Sequence, residues 1–208
     1  MVFDLFPFED DWFDAFDCPQ TTGSYFVSGL TGNGKTSFTC QLLKYLSQWR
    51  KCAYNSREEG ISPTMQKAFR NAGMNEVNGK VILINEDMQK LDARLKKRRS
   101  PEVIVLDSWQ YLNFSFAEWI AFLERHPTKL FIVISQVEGK VPLGQSARRV
   151  QSHACLKIWV EGHRAISKGR YIGKVGFYNV WREAALKYWD YSDENTNKNQ
   201  QHRKNQTV

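Results

Sequence analysis

The chain has 208 residues, enough for one domain with a short appendage and too few for two full-sized domains. Hydrophobic residues at 42% and charged residues at 25% exclude collagen-like, low-complexity and wholly disordered classes. No apolar stretch reaches the length of a membrane span, and the start Met-Val-Phe-Asp lacks the early positive charge of a secretory signal, so a cytoplasmic protein with no membrane partner is expected.

The formal charge of +7 is unevenly spread. Positions 1–22 carry six acids (Asp4, Glu9, Asp10, Asp11, Asp14, Asp17) and no Lys or Arg, leaving 29 bases against 16 acids on the rest. A basic body attracts polyanions. The acidic arm also holds Phe3, Phe6, Phe8, Trp12, Phe13 and Phe16, too many aromatics for a solvated tail. It is expected to dock, either on its own domain or on a protein partner such as a neighbouring subunit.

From residue 23 short apolar runs alternate with helical patterns. Residues 24–28 read as a strand, followed by Phe38, Leu42, Tyr45, Leu46 and Trp49 at helical spacing. Residues 51–55 give a second strand; Ser62-Pro63 then opens a helix with the stripe Met65, Ala68, Phe69 and Ala72, stopped by Gly73. Residues 81–85 and 103–106 are two further strands, separated by a helix bearing Met88, Leu91 and Leu95 that Asp87 caps. Ser115 and Glu118 have capping-box spacing before a helix with Phe116, Trp119, Ile120 and Leu123 inward, and residues 130–134 form another apolar strand. This alternation predicts a mostly parallel sheet flanked by helices. After residue 150 four strands are predicted, over 155–160, 163–168, 175–181 and 186–191, giving a carboxy-terminal antiparallel extension. The boundaries follow: an arm over 1–22, one domain over 23–191 and a disordered polar tail over 192–208.

Two features read as structural. Cys18, Cys40, Cys52 and Cys155 lie far apart with no metal-ligand spacing, as reduced and partly buried residues do. Arg94, Lys96, Lys97, Arg98 and Arg99 close a predicted helix before Pro101, where cations suit the helix dipole; nucleic-acid contact is the rival reading.

The strongest chemical signal is Gly29-Leu30-Thr31-Gly32-Asn33-Gly34-Lys35-Thr36, a phosphate-binding loop with a strand before it and a helix after it. The glycines allow backbone N–H groups to turn around phosphate oxygens, and Lys35 adds a full charge near the β- and γ-phosphates. Thr36 offers a hydroxyl to Mg²⁺, and Ser37 follows within the nucleotide-binding stretch. Asp107, ending the apolar run 103–106, supplies the acidic partner for the metal. Glu86 and Asp87 are the rival acids.

These residues resemble the RecA-like ATPases, in the branch containing RadA, KaiC and the DnaB helicases, over roughly residues 23–175 in order. The resemblance implies a RecA-like P-loop core binding ATP and Mg²⁺. It places the water-activating glutamate at Glu58, with Glu59 next to it, and a γ-phosphate sensor at Gln136. It makes residues 137–150 similar in placement to a mobile DNA-facing loop in which Lys140, Arg148 and Arg149 meet phosphates. It also makes Lys168 and Arg170 a pair of cations inserted into a neighbouring subunit's site, so that the active form is a homo-oligomer. The zinc-binding and protease-like segments of RadA and the helical amino-terminal domain of the helicases have no counterpart here, which points to a nearly bare motor core. The expected activity is ATP hydrolysis at subunit interfaces in a protein acting on DNA. The alternatives are a KaiC-like nucleotide-controlled oligomer that binds protein, and a P-loop small-molecule kinase.

Overall fold

A computed structural model describes residues 4–190; the tail assigned to 192–208 lies outside them. Eight strands form one sheet in the order β10-β9-β8-β1-β5-β4-β2-β3. In chain order these are β1 (Gly23–Ser28), β2 (Cys52–Ser56), β3 (Val81–Ile84), β4 (Val103–Asp107), β5 (Leu130–Ser135), β8 (Leu156–Glu161), β9 (Arg164–Gly169) and β10 (Phe177–Asn179). The six strands from β8 to β3 run parallel; β9 and β10 pair antiparallel at one edge. A separate hairpin, β6 (Val137–Glu138) with β7 (Val141–Pro142), follows β5.

Near-continuous apolar strands demand cover on both faces, and the side chains divide by alternation. Tyr25, Val27, Val103, Val105 and Ile132 enter one core with α1 (Asp10–Phe16), α2 (Lys35–Leu46) and α3 (Pro63–Asn71). Phe26, Ile104, Leu106, Phe131 and Val133 enter the other with α4 (Met88–Leu95), α5 (Phe116–Arg125) and α6 (Gln145–His153). The helix starts follow their capping residues: Ser62 accepts from the Met65 amide, Asp87 from the Lys90 amide, and Ser115 and Glu118 form the complete capping box. Such caps are worth about 1 kcal/mol each.

The arm packs on its own chain. Phe6, Phe8, Ala15 and Phe16 are buried, and the Trp12 ring stacks between Tyr45 of α2 and Tyr178 of β10. Beyond α1, the loop between β9 and β10 is tied to the carbonyls of the arm: Gly173 N–H donates to Ala15 O, and Val175 and Gly176 N–H both donate to Asp14 O.

Two expectations need correction. The strand expected over 186–191 is not found in its described part, since residues 182–190 form a helix, α7, in which Ala185 is buried and Leu186 and Tyr188 are exposed, and residue 191 lies outside the described residues. Residues 137–150 are not one loop, because they comprise the β6–β7 hairpin and most of α6, whose Ala147 and Val150 are buried. Within α5 the buried Phe122 was absent from the predicted stripe. Among the described residues no helix is long and apolar enough to cross a membrane, and all four cysteines are free.

Candidate active site

Parallel strands deliver their following loops to one end of the sheet, and the residues with chemical potential gather there. Residues 29–34 turn between β1 and α2 as a glycine-dependent loop. Gly34 adopts φ 99° at the start of α2, and a Cβ on Gly29 would stand 2.1 Å from the Val160 carbonyl oxygen, so the loop passes β8 at a distance that no side chain permits. Asn33 braces the loop from above, its Oδ1 accepting from the Gly162 amide at 2.8 Å. The Lys35 ammonium donates to the carbonyls of Gly29 (2.8 Å) and Leu30 (3.0 Å), inside the turn that phosphates would fill.

A cavity of about 610 Å³ opens beside this loop. Thr31, Gly32, Gly34, Lys35, Thr36 and Ser37 line one side; Glu58, Glu59, Asp107, Ser108 and Gln136 line the other. The pairing of β2 with β4 brings the acids together, because Ser56 lies beside Asp107 and the Glu58 amide donates to the Asp107 carbonyl at 3.0 Å. The Glu58 carboxylate accepts from the Ser108 hydroxyl at 2.8 Å and from Gln136 Nε2 at 3.0 Å. Gln136 is itself held, its backbone N–H donating to Gln110 Oε1 at 3.1 Å while the Gln110 amide donates to the Ser135 hydroxyl and the Leu143 carbonyl. The peptide between Asp107 and Ser108 is cis.

Electrostatics match this crowding. Burial pushes the Asp107 carboxyl up to about 6, helped by the charges of Glu58 and Glu59 and opposed by the Tyr54 hydrogen bond and by Lys35. The Tyr54 hydroxyl donates to Asp107 Oδ2 at 2.6 Å, and burial drives its own ionisation far up. Burial lowers Lys35, against the stabilising charges of Asp107 and Glu58. One hydroxyl (Thr36) and one carboxylate (Asp107) facing a cavity with room for water form a hard-oxygen donor set that fits Mg²⁺.

The structure thus brings together Thr31, Gly32, Gly34, Lys35, Thr36 and Ser37 with Glu58, Asp107 and Gln136 on one cavity, while Gly29 and Leu30 meet Lys35 through their carbonyls and Asn33 turns to Gly162. The rival Glu86 is occupied by a two-pronged pair with Arg94 and does not line the cavity, and Asp87 is a helix cap. Lys168 and Arg170 are exposed at the end of β9 and line no part of the cavity. Lys140 is exposed on the β6–β7 turn; Arg148 donates to the Pro142 carbonyl and Arg149 lies over the Phe116 ring at 4.3 Å. The sequence reading missed Tyr54, Ser108 and Gln110, which position the acids and the amide. It also missed Gln41, His163, Val180 and Trp181, which wall the cavity beyond Ser37. Ser108 follows Asp107 directly and was within reach of a motif reading; His163 and Trp181 come from distant turns and carry no local signal.

No family model and no curated protein matches the sequence. Among solved structures, the chain is similar to a KaiC-like protein from the hyperthermophilic archaeon Pyrococcus horikoshii OT3, with 15% identity and a TM-score of 0.55, over 76% of this chain and 89% of that one. It is also similar to the flagellar accessory protein FlaH from Methanocaldococcus jannaschii, with 15% identity and a TM-score of 0.57, over 85% of this chain and 92% of that one. At this identity the likeness establishes the fold, a RecA-like α/β core with an antiparallel carboxy-terminal edge.

Proposed function

We propose that this RecA-like chain is a Mg²⁺-dependent ATPase whose sites are completed between subunits and which acts on DNA. The observation that carries hydrolysis is the convergence of Lys35, Asp107 and a braced Glu58 on one cavity beside the phosphate loop. Backbone amides of residues 29–36 hold the triphosphate, and Lys35 exchanges its two carbonyl partners for phosphate oxygens. Glu58 accepts the proton of the attacking water as the new P–O bond forms and the bond to the β–γ bridging oxygen breaks, releasing ADP and phosphate. Ser108 and Gln136 hold that carboxylate in place, and Gln136 links its position to Gln110 and the β6–β7 hairpin. Thr36 and Asp107 would hold Mg²⁺, which when bound neutralises charge on the β- and γ-oxygens.

Among the described residues lining the cavity Lys35 is the sole Lys or Arg, so charge that develops on transfer meets no guanidinium from them. That supports delivery of Arg170, with Lys168, from a neighbour in an oligomer. Glu58→Gln is expected to keep ATP affinity and lose at least ~100-fold in turnover, with free phosphate as the product lost. Retained turnover in that variant, or phosphate found on a small-molecule acceptor, would sink the assignment. Lys35→Ala should lose binding or turnover altogether.

DNA as partner is supported by the basic body and by the exposed Lys140; Arg148 and Arg149 already have partners within the chain. ATPase assays with single- and double-stranded DNA across a salt series test it, and an absence of both stimulation and salt-sensitive binding removes DNA from the proposal.

A further inference from the structure

The opposite end of the sheet, where the parallel strands begin, carries a groove of about 290 Å³ with a different character. Lys51 enters β2, Lys80 enters β3, and Lys97, Arg98 and Arg99 follow α4; all five are exposed, line the groove and have no ion pair among the described residues. Arg94, the sixth cation there, is held by Glu86. Among the described residues no Asp or Glu lines this groove, and the nearby acids are spent elsewhere: Asp92 on Lys96 and Arg125, Glu102 on Arg50.

The helix dipole accounts for cations at the end of α4 but not for Lys51 and Lys80, which reach the same groove from strand entries. Holding five unpaired cations along one cleft creates a focused positive potential. A second groove shares Lys97, Arg99 and Ser100 with the first and continues past Lys96, Arg125 and Lys129, with Glu102, paired to Arg50, as the acid among its described lining residues. The Lys129 ammonium donates to the Ser100 hydroxyl at 2.9 Å, fixing the seam between the two grooves. A continuous strip fits a linear polyanion better than a single compact phosphate. Among the described residues no Phe, Tyr or Trp lines either groove, so base stacking from them supplies no grip.

We infer that this strip binds the phosphate backbone of duplex nucleic acid, without reading its sequence, at the end of the sheet remote from the nucleotide site. The inference rests on DNA as the partner but not on hydrolysis, and it places the main contact here rather than at Lys140, Arg148 and Arg149. The five residues of β2 span about 17 Å and keep the strip clear of Glu58.

The test is fluorescence anisotropy with a short labelled duplex, on the full chain without nucleotide, between about 50 and 200 mM salt. Wild type is expected to bind with an affinity that falls steeply with salt. The variant K97Q/R98Q/R99Q should bind at least ~10-fold more weakly, with a salt slope shallower by about 2 to 3. K51Q/K80Q should move the same way by about 1 to 2, and K140Q/R148Q/R149Q should leave the slope in place. Thermal melts of the variants within a few degrees of wild type show that the fold is intact, as expected for exposed side chains. Duplex binding that survives in both groove variants, or vanishes only in the hairpin variant, overturns the strip as the site. No duplex binding by wild type overturns the inference, while the single-stranded arm of the DNA assays and the Glu58 test of hydrolysis stand apart from it. Binding to phosphatidylserine vesicles but not to duplex would assign the strip to a lipid surface instead and overturn the inference too.

Discussion

Asp107 sits almost fully buried where β4 ends, yet it must carry a charge to serve a cation, and its neighbours resolve that conflict. Tyr54 donates to it from β2, Lys35 faces it across the cavity, and both oppose the desolvation that raises its proton affinity. Tyr54→Phe therefore leaves a buried carboxylate oxygen without its donor and is expected to cost about 1–3 kcal/mol in urea unfolding, with weaker nucleotide binding; an unchanged midpoint would show that water replaces the hydroxyl. Gly29→Ala pushes a methyl group to 2.1 Å from the Val160 oxygen, so the loop must shift; ATP affinity measured by calorimetry should fall by at least ~10-fold. At this scale the phosphate loop and Asp107 were legible in the sequence because each is local, a spacing or a carboxylate at the close of an apolar run, whereas Glu58 rested on the family resemblance alone. Tyr54 and Gln110 were not, since their significance depends on partners 53 and 26 residues away.

Among elements, helices with caps were read closely, and the strand expected over 186–191, where residues 186–190 are helical, was misread for a physical cause. Leu186 and Tyr188 flank Lys187 as alternating strand residues would, but the sequence over 182–187 is rich in good helix formers, and burial follows Ala185 and Trp189 at a four-residue interval. The hairpin and α6 were hidden for another reason: family likeness placed a loop there, whereas Ala147 and Val150 pack against the core behind α5. Helices α4 and α5 are joined through Asp92. Burial raises its carboxyl, but hydrogen bonds from Lys96, His126 and Arg125 prevail and hold it at about 2. A depressed folded value means stability that is present above the unfolded carboxylate range and lost as pH falls toward 2. With Lys96 and Arg125 substantially exposed, the contribution is about 1 kcal/mol. Asp92→Asn should lower the urea midpoint near neutral pH and flatten its decline between about pH 4 and pH 2; parallel curves for the two proteins would count against this network.

For the whole molecule, the sheet separates two proposed tasks: triphosphate chemistry where parallel strands finish, polyanion binding where they start. The proposed shared site adds a demand on the far edge, since Arg170 must be presented outward from the turn that the arm grips. A Cβ on Gly173 would meet the Phe13 carbonyl oxygen at 2.2 Å, so Gly173→Ala should loosen that grip. Turnover is expected to fall several-fold with ATP affinity unchanged; Arg170→Ala should lose at least ~1000-fold, and mixing Arg170→Ala with Glu58→Gln should restore activity that neither has alone. Mixtures as inactive as their components would rule out exchange across an interface. The arm was recognisable as something that docks, but its destination was not, because Tyr45 and Tyr178 enclose Trp12 from positions 133 residues apart. That enclosure also sets a schedule for synthesis. The ring waits on the ribosome with one side open until the segment around Tyr178 has emerged, so a nascent chain halted near residue 160 displays an aromatic face to chaperones that the finished protein conceals.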